Sequence, residues 1–156
     1  MKYRRSFRAE SGTSLVEFAI LAPVIIFLLV GVIEIGRFAF FSILAANAAR
    51  AGAQYGTQDL TTAFDTAGIA NAALQDGQNL ANWTAPGGGI IVKQLCSSNG
   101  GTPQACTTAG ALGPPQNTIY YVQVQVTGVF RSLLNYPGIP NSVPVTGSSM
   151  MRVATQ

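Results

Sequence analysis

Between Leu15 and Phe41 the chain is almost continuously apolar. No small soluble core has room to bury a run of that length on every side. Leu15–Val32 is interrupted only by Glu17, and Gly31-Val32-Ile33 carries the run on to Glu34 and Arg37. Eighteen to twenty helical residues rise about 27–30 Å, enough to cross the hydrocarbon core of a bilayer. The segment therefore reads as one membrane-spanning helix. Lys2, Arg4, Arg5 and Arg8 precede it, and Arg37 alone lies close behind it, which places the N-terminus in the cytoplasm.

The charge pattern narrows the function. Four cations against Glu10 give the first twelve residues a charge of +3, the value for the whole chain. From Thr13 onward, Arg37, Arg50, Lys93, Arg131 and Arg152 balance Glu17, Glu34, Asp59, Asp65 and Asp76. The basic character belongs to the leader, so no net positive domain remains for nucleic acid. Charged residues make up 10% of the chain, against about 25% in an ordinary soluble domain.

The chain has no histidine and two cysteines, Cys96 and Cys106. Their spacing is not that of a zinc or CxxC redox site, and neither a metal nor a cofactor is expected. In an oxidising compartment the two would pair; the alternative is two free thiols. Without histidine there is no hydrolase triad, and neither Lys2 nor Lys93 has a serine motif beside it. Gly87-Gly88-Gly89 lacks the continuation of a phosphate loop. The chain is expected not to be an enzyme.

Read in order, residues 1–12 form a basic cytoplasmic leader, 13–37 the transmembrane helix, 38–56 its extracytoplasmic continuation, and 57–156 a small domain. Phe38–Tyr55 has good helix formers and no proline. Ala45, Ala48, Ala49, Gly52 and Gly56 recur three or four apart, a narrow face suited to close approach. It would pack either on another helix in an assembly or on the chain's own domain. A second helix is expected over Thr62–Gln75, with Thr62 and Asp65 as a capping box and Gly77 as its stop. Leu60, Phe64, Ala67, Asn71 and Leu74 would share one face of it. Gly89–Cys96 reads as a strand, Ser97–Gln116 as a loop, and Ile119–Val129 as a strand with Tyr120, Val122, Val124 and Val126 on one side. Phe130–Leu134 suggests a helical turn, and Val145–Val153 a last strand. Trp83 with Tyr120 and Tyr121 would pack in the core or form a binding surface. The fold class is α+β: a long N-terminal helix, a short helix and an antiparallel sheet of about three strands.

One stretch carries chemistry. Arg8–Pro23 joins a basic leader, Gly12 at the polar-to-apolar boundary, and Glu17 just inside the apolar run. Gly12 offers an unhindered backbone where a membrane-surface protease would cut. With Thr13 as the first residue after the cut, Glu17 is the fifth and Phe18 the sixth. A carboxylate inside the apolar zone is costly unless partnered. Cleavage after Gly12 would create an ammonium at Thr13 that Glu17 of the same or a neighbouring chain could pair with. The simpler alternative leaves Glu17 ionised in the headgroup region. Pro23 removes one backbone bond and bends the helix. Glu34 and Arg37 read as an interfacial ion pair or a contact between subunits. Ala46-Asn47-Ala48 has the form of a signal-peptidase site but lies too far beyond the apolar core.

Gly12-Thr-Ser-Leu-Val-Glu-Phe-Ala-Ile-Leu-Ala-Pro23, together with Ile33-Glu-Ile-Gly-Arg37 and Asn47-Ala-Ala-Arg-Ala-Gly-Ala-Gln-Tyr55, resembles the TadE-like proteins of tight-adherence (Tad) pilus systems. The resemblance covers Glu10–Gly56. It implies a pseudopilin or minor pilin, cut after Gly12 by a prepilin peptidase in the bacterial inner membrane. Its partners would be other pilin-like subunits and the pilus assembly platform, in an oligomeric assembly. The residues carried over are Gly12, Thr13, Glu17 and Phe18 for processing. Glu17, Pro23, Glu34, Arg37, Ala45, Ala49, Gly52 and Gly56 would serve helix packing. Phe18 stands where the major pilins of these systems usually have Tyr, and the chain is far larger than they are, which points to an accessory subunit. The alternative is an uncleaved single-pass protein that aids assembly.

Overall fold

The computed structural model describes residues 11–78, 80, 89–98, 100–106, 118–133 and 140–154. The leader Met1–Glu10, Trp83, Gly87 and Gly88 lie outside them. The chain divides into two units, one ending at Arg37 and one starting at Phe38.

Helix α1 is Ser11–Gly56, 46 residues, and it continues through Pro23. That proline removes only the N–H that would bond Ala19, and the other turns hold the helix together. In the first unit the large apolar side chains from Leu15 to Ile35 are exposed around the whole circumference, as a lipid-facing helix requires. This is the one helix among the described residues that is long and apolar enough to cross a membrane. Glu34 and Arg37 pair one turn apart, with Arg37 Nη1 donating to Glu34 Oε2 at 2.9 Å.

The second unit is α+β. Beyond α1 come α2 (Leu60–Phe64), α3 (Thr66–Asp76) and strands β1 (Gly89–Ser98), β2 (Gln104–Ala105), β3 (Thr118–Arg131) and β4 (Ser142–Arg152). The sheet has four antiparallel strands in the order β2-β1-β3-β4, where about three were expected. The extra strand is β2, two residues paired through Leu95–Ala105 and Cys96–Gln104 inside the expected loop. A Cys96–Cys106 disulfide with Cα atoms 5.3 Å apart holds it there. Closing so short a loop contributes about 2.5–3 kcal/mol on the chain-entropy account.

The single helix expected over Thr62–Gln75 is two helices. Asp59, not Thr62, caps α2: its carboxylate accepts from the Thr62 N–H at 2.7 Å, and Thr62 Oγ1 accepts from the Asp59 N–H at 3.1 Å. Asp65 then leaves helical geometry (φ −79°, ψ 77°) and caps α3, accepting from the Gly68 N–H at 2.9 Å and the Tyr55 hydroxyl at 3.0 Å. Gly77 ends α3 as expected. The break shifts the helical phase. Ala63, Ile69 and Ala73 are buried, and Leu60, Phe64, Ala67, Asn71 and Leu74 are all exposed. The expected turn at Phe130–Leu134 is also overturned: Phe130 and Arg131 continue β3. Burial of the Phe130 ring 5.6 Å from both Phe38 and Phe41 favours the extended backbone.

The core lies on one sheet face. Val122, Val124 and Val126 of β3 are fully buried there, opposite Val92 and Ile90 of β1 and Met151 and Gly147 of β4. Helices cover this face. A Cβ on Gly52 would meet the Ile69 carbonyl oxygen at 3.0 Å and Ala73 at 3.1 Å; one on Gly56 would meet Ile69 and Val122. At Gly147 a Cβ would fall 2.3 Å from the backbone of Ala45 and Ala46, so helix backbone rests directly on β4. In antiparallel strands alternate residues face opposite ways. Ile91, Lys93, Tyr121, Gln123, Met150 and Arg152 accordingly line the other face.

Both capping carboxylates hold their protons less tightly than a free aspartate. The Thr62 N–H does this for Asp59, and the Gly68 N–H, aided by the Tyr55 hydroxyl, for Asp65. Groups with lowered folded-state values contribute stability above the ordinary aspartate value of 3.8, and that contribution fades as pH falls through it and the lowered values. Acid titration below about pH 4 is expected to lower the thermal midpoint of the wild type more than that of Asp65→Asn, which starts lower. Equal losses would remove the linkage.

Candidate functional site

The segment expected to be processed occupies the first described turns of α1. Gly12, Thr13, Glu17 and Phe18 are all helical and exposed. A Cβ on Gly12 would have nothing within 4 Å among the described residues, so none of them demands glycine here by packing. Its effect is on the backbone: glycine weakens a helix by about 1 kcal/mol relative to alanine, so α1 unwinds more easily at Gly12 than it would with a side chain there. One turn on, Glu17 stands as a lone carboxylate beside exposed Leu15, Val16, Phe18, Ile20 and Leu21.

Farther along, Pro23 is exposed within the helix, and Glu34 and Arg37 form the pair described above. The small-residue face is placed otherwise. Ala45, Ala49, Gly52 and Gly56 are buried in the second unit against Gly147, Ile69, Ala73, Val122 and Val124. Of the two packing modes open to them, the one seen is with the chain's own domain. The structure thus brings Gly12–Phe18 together in sequence-adjacent turns, and puts the alanine–glycine face into the core.

Sequence reasoning passed over Phe40 and Ile43, which stay exposed on the part of α1 that enters the second unit. The signal was available: together with exposed Ala46, Asn47 and Arg50 they occupy the side of the helix left over by the small stripe. It also passed over the pairing of Lys93 with Arg152 on one sheet face, which only strand register brings about.

Residues 12–54 match the family model described as TadE-like protein. The match starts at Gly12, takes in Thr13, Glu17, Phe18 and the apolar helix, and stops two residues short of the end of α1. The N-terminal segment is therefore TadE-like, as its motifs suggested, and the sheet domain lies beyond the match. No curated protein and no solved structure matches the chain.

Proposed function

We propose, from the TadE-like segment and the membrane-length helix that carries it, that the chain is a pilin-like accessory subunit of a tight-adherence pilus or a related secretion system. It is a structural protein and not an enzyme. A prepilin peptidase of the bacterial inner membrane cuts after Gly12, and the subunit joins other pilin-like subunits through α1 while its sheet domain stands outside the cytoplasm. The observation that carries this reading is the conjunction at the head of α1. A glycine without packing duty marks the polar boundary, and a lone carboxylate follows five residues later within apolar surroundings. Packing of the chain itself explains neither, whereas cleavage explains both. It needs an open backbone at Gly12, and it produces the ammonium that stabilises Glu17 across or within subunits.

The test is the intact mass of the protein from native membranes, with and without reduction. The reading expects a mass lacking Met1–Gly12 and a shift of two hydrogens on reduction, from Cys96–Cys106. A mass that retains the leader favours the second reading, an uncleaved single-pass protein that aids assembly.

A further inference from the structure

In the second unit the strand cations and the helix aspartates lie on opposite faces, and Arg50, exposed on α1, is the one cation on the helical side. From Phe38 onward the chain carries Arg50, Lys93, Arg131 and Arg152 against Asp59, Asp65 and Asp76. Lys93, Arg131 and Arg152 are exposed and sit at the alternating positions of β1, β3 and β4 that point away from the core. No Asp or Glu lies on those strands. The register sets Lys93 opposite Gln123 and Met150, and Arg152 opposite Tyr121 and Leu95, in neighbouring rows. All three aspartates are exposed on the helices that cover the opposite face, Asp59 and Asp65 as caps and Asp76 in the last turn of α3.

Each face also exposes apolar surface. On the basic side Ile91 is 50% exposed and Met150 51%; on the acidic side Leu60 is 43%, Phe64 37% and Leu74 39%. Asp76 adds a further indication. A carboxylate is favoured at a helix N-terminus and disfavoured at the C-terminus, where the peptide dipoles already leave about half a negative charge. The last turn of α3 has no basic residue to offset it, so a cation supplied from outside would relieve it.

We propose that this domain binds a second copy of itself face to back, the outer sheet face of one (Lys93, Met150, Arg152) against the α2–α3 face of the next (Leu60, Leu74, Asp76). This rests on the reading of an assembling subunit and names the surfaces that meet. Charge complementarity selects the partner and the polarity. Two basic sheet faces would repel each other, as would two acidic helix faces, so the isologous pairings are disfavoured and the heterologous one is left. A heterologous contact leaves one face of each kind free at the ends and therefore propagates.

The experiment uses the full chain in native membranes, with a benzophenone amino acid at Met150 and a second, differently tagged copy. Illumination is expected to give dimers and higher species with crosslinks mapping to Leu60–Asp76 of the other copy. Lys93→Glu with Arg152→Glu in the probe-bearing chain should cut the yield about fivefold or more, as should high salt. Asp76→Lys in the second copy should restore it. The disulfide mobility shift checks that each variant is folded. Crosslinks confined to lipid, to the same chain or to another sheet face would overturn the proposal, as would a yield indifferent to these charges. The mass of the same sample separates the two readings. A processed, assembling chain without the Met150 crosslink sinks only this contact. A chain that keeps its leader and stays single sinks both.

Discussion

Replacing Gly147 by valine is expected to leave the sheet domain unfolded. A Cβ there would lie 2.3 Å from the carbonyl carbon of Ala45 and the nitrogen of Ala46. Both are backbone atoms inside a helix, and no rotamer change can move them aside. Either α1 lifts from the sheet, uncovering Val124, Val126 and Val145, or β4 bends away from β3. Overpacking of this kind costs about 1–3 kcal/mol in ordinary cores and more where the obstacle is rigid. Gly147→Ala should thus fall at or above the top of that range, and the two further methyls of valine should exceed the stability of a small domain, about 5 kcal/mol at the lower end. Gly36→Ala is the control, since a Cβ at Gly36 meets nothing within 4 Å. Near-UV circular dichroism and limited proteolysis of the full chain in detergent would read the difference. A cooperative, protease-resistant Gly147→Val protein would show that α1 does not rest on β4.

Gly12→Val is expected to stop maturation almost completely. The structure offers no packing reason for glycine at this position, so an effect on folding is not anticipated and the variant should accumulate as a stable, full-length membrane protein. A β-branched side chain both crowds the scissile bond and stiffens the backbone that a peptidase must extend. Glu17→Ala separates processing from assembly: it should mature but incorporate poorly, because the new Thr13 ammonium loses its counter-charge. The readouts are the intact mass and the fraction recovered with extracellular fibres. If Gly12→Val is cut normally, the boundary glycine has no role in recognition. If Glu17→Ala assembles like the wild type, the carboxylate is only an interfacial group.

The elements that were legible in the sequence are those decided by their own periodicity. Ile119–Val129 alternates so regularly that its buried row, Val122, Val124 and Val126, could be named from it, and the apolar helix followed from length alone. The α2–α3 break was not legible because the chain offers the same polar spacing twice. Asp59 with Thr62, and Asp65 with Gly68, both place a capping carboxylate three residues ahead of an N–H, and a pattern search has no reason to prefer two short helices to one long one. β2 has too few residues for any period; its place depends on a disulfide and a neighbour. At the candidate site, Gly12–Phe18 could be read as a motif because its logic is local. The alanine–glycine face announced close packing but not its partners, since these come from α3 and from strands some seventy to a hundred residues later. Likewise Lys93 and Arg152 come to one sheet face only once β1, β3 and β4 are in register.

The seating of Ala45 on Gly147 also orders events in time. The helix leaves the ribosome well before the strand it rests on. At about 5–20 residues per second, roughly a hundred intervening residues keep the Ala45 end of its alanine–glycine face waiting for about 5–20 s. Formation of β3 and β4 is what closes that interval, and neither can be replaced by local contacts. During synthesis the narrow face is open to any other helix nearby, including that of an identical nascent chain. Low expression rates and a holding partner near the membrane would therefore improve the yield of the folded protein, whereas faster synthesis would favour early pairing between anchors.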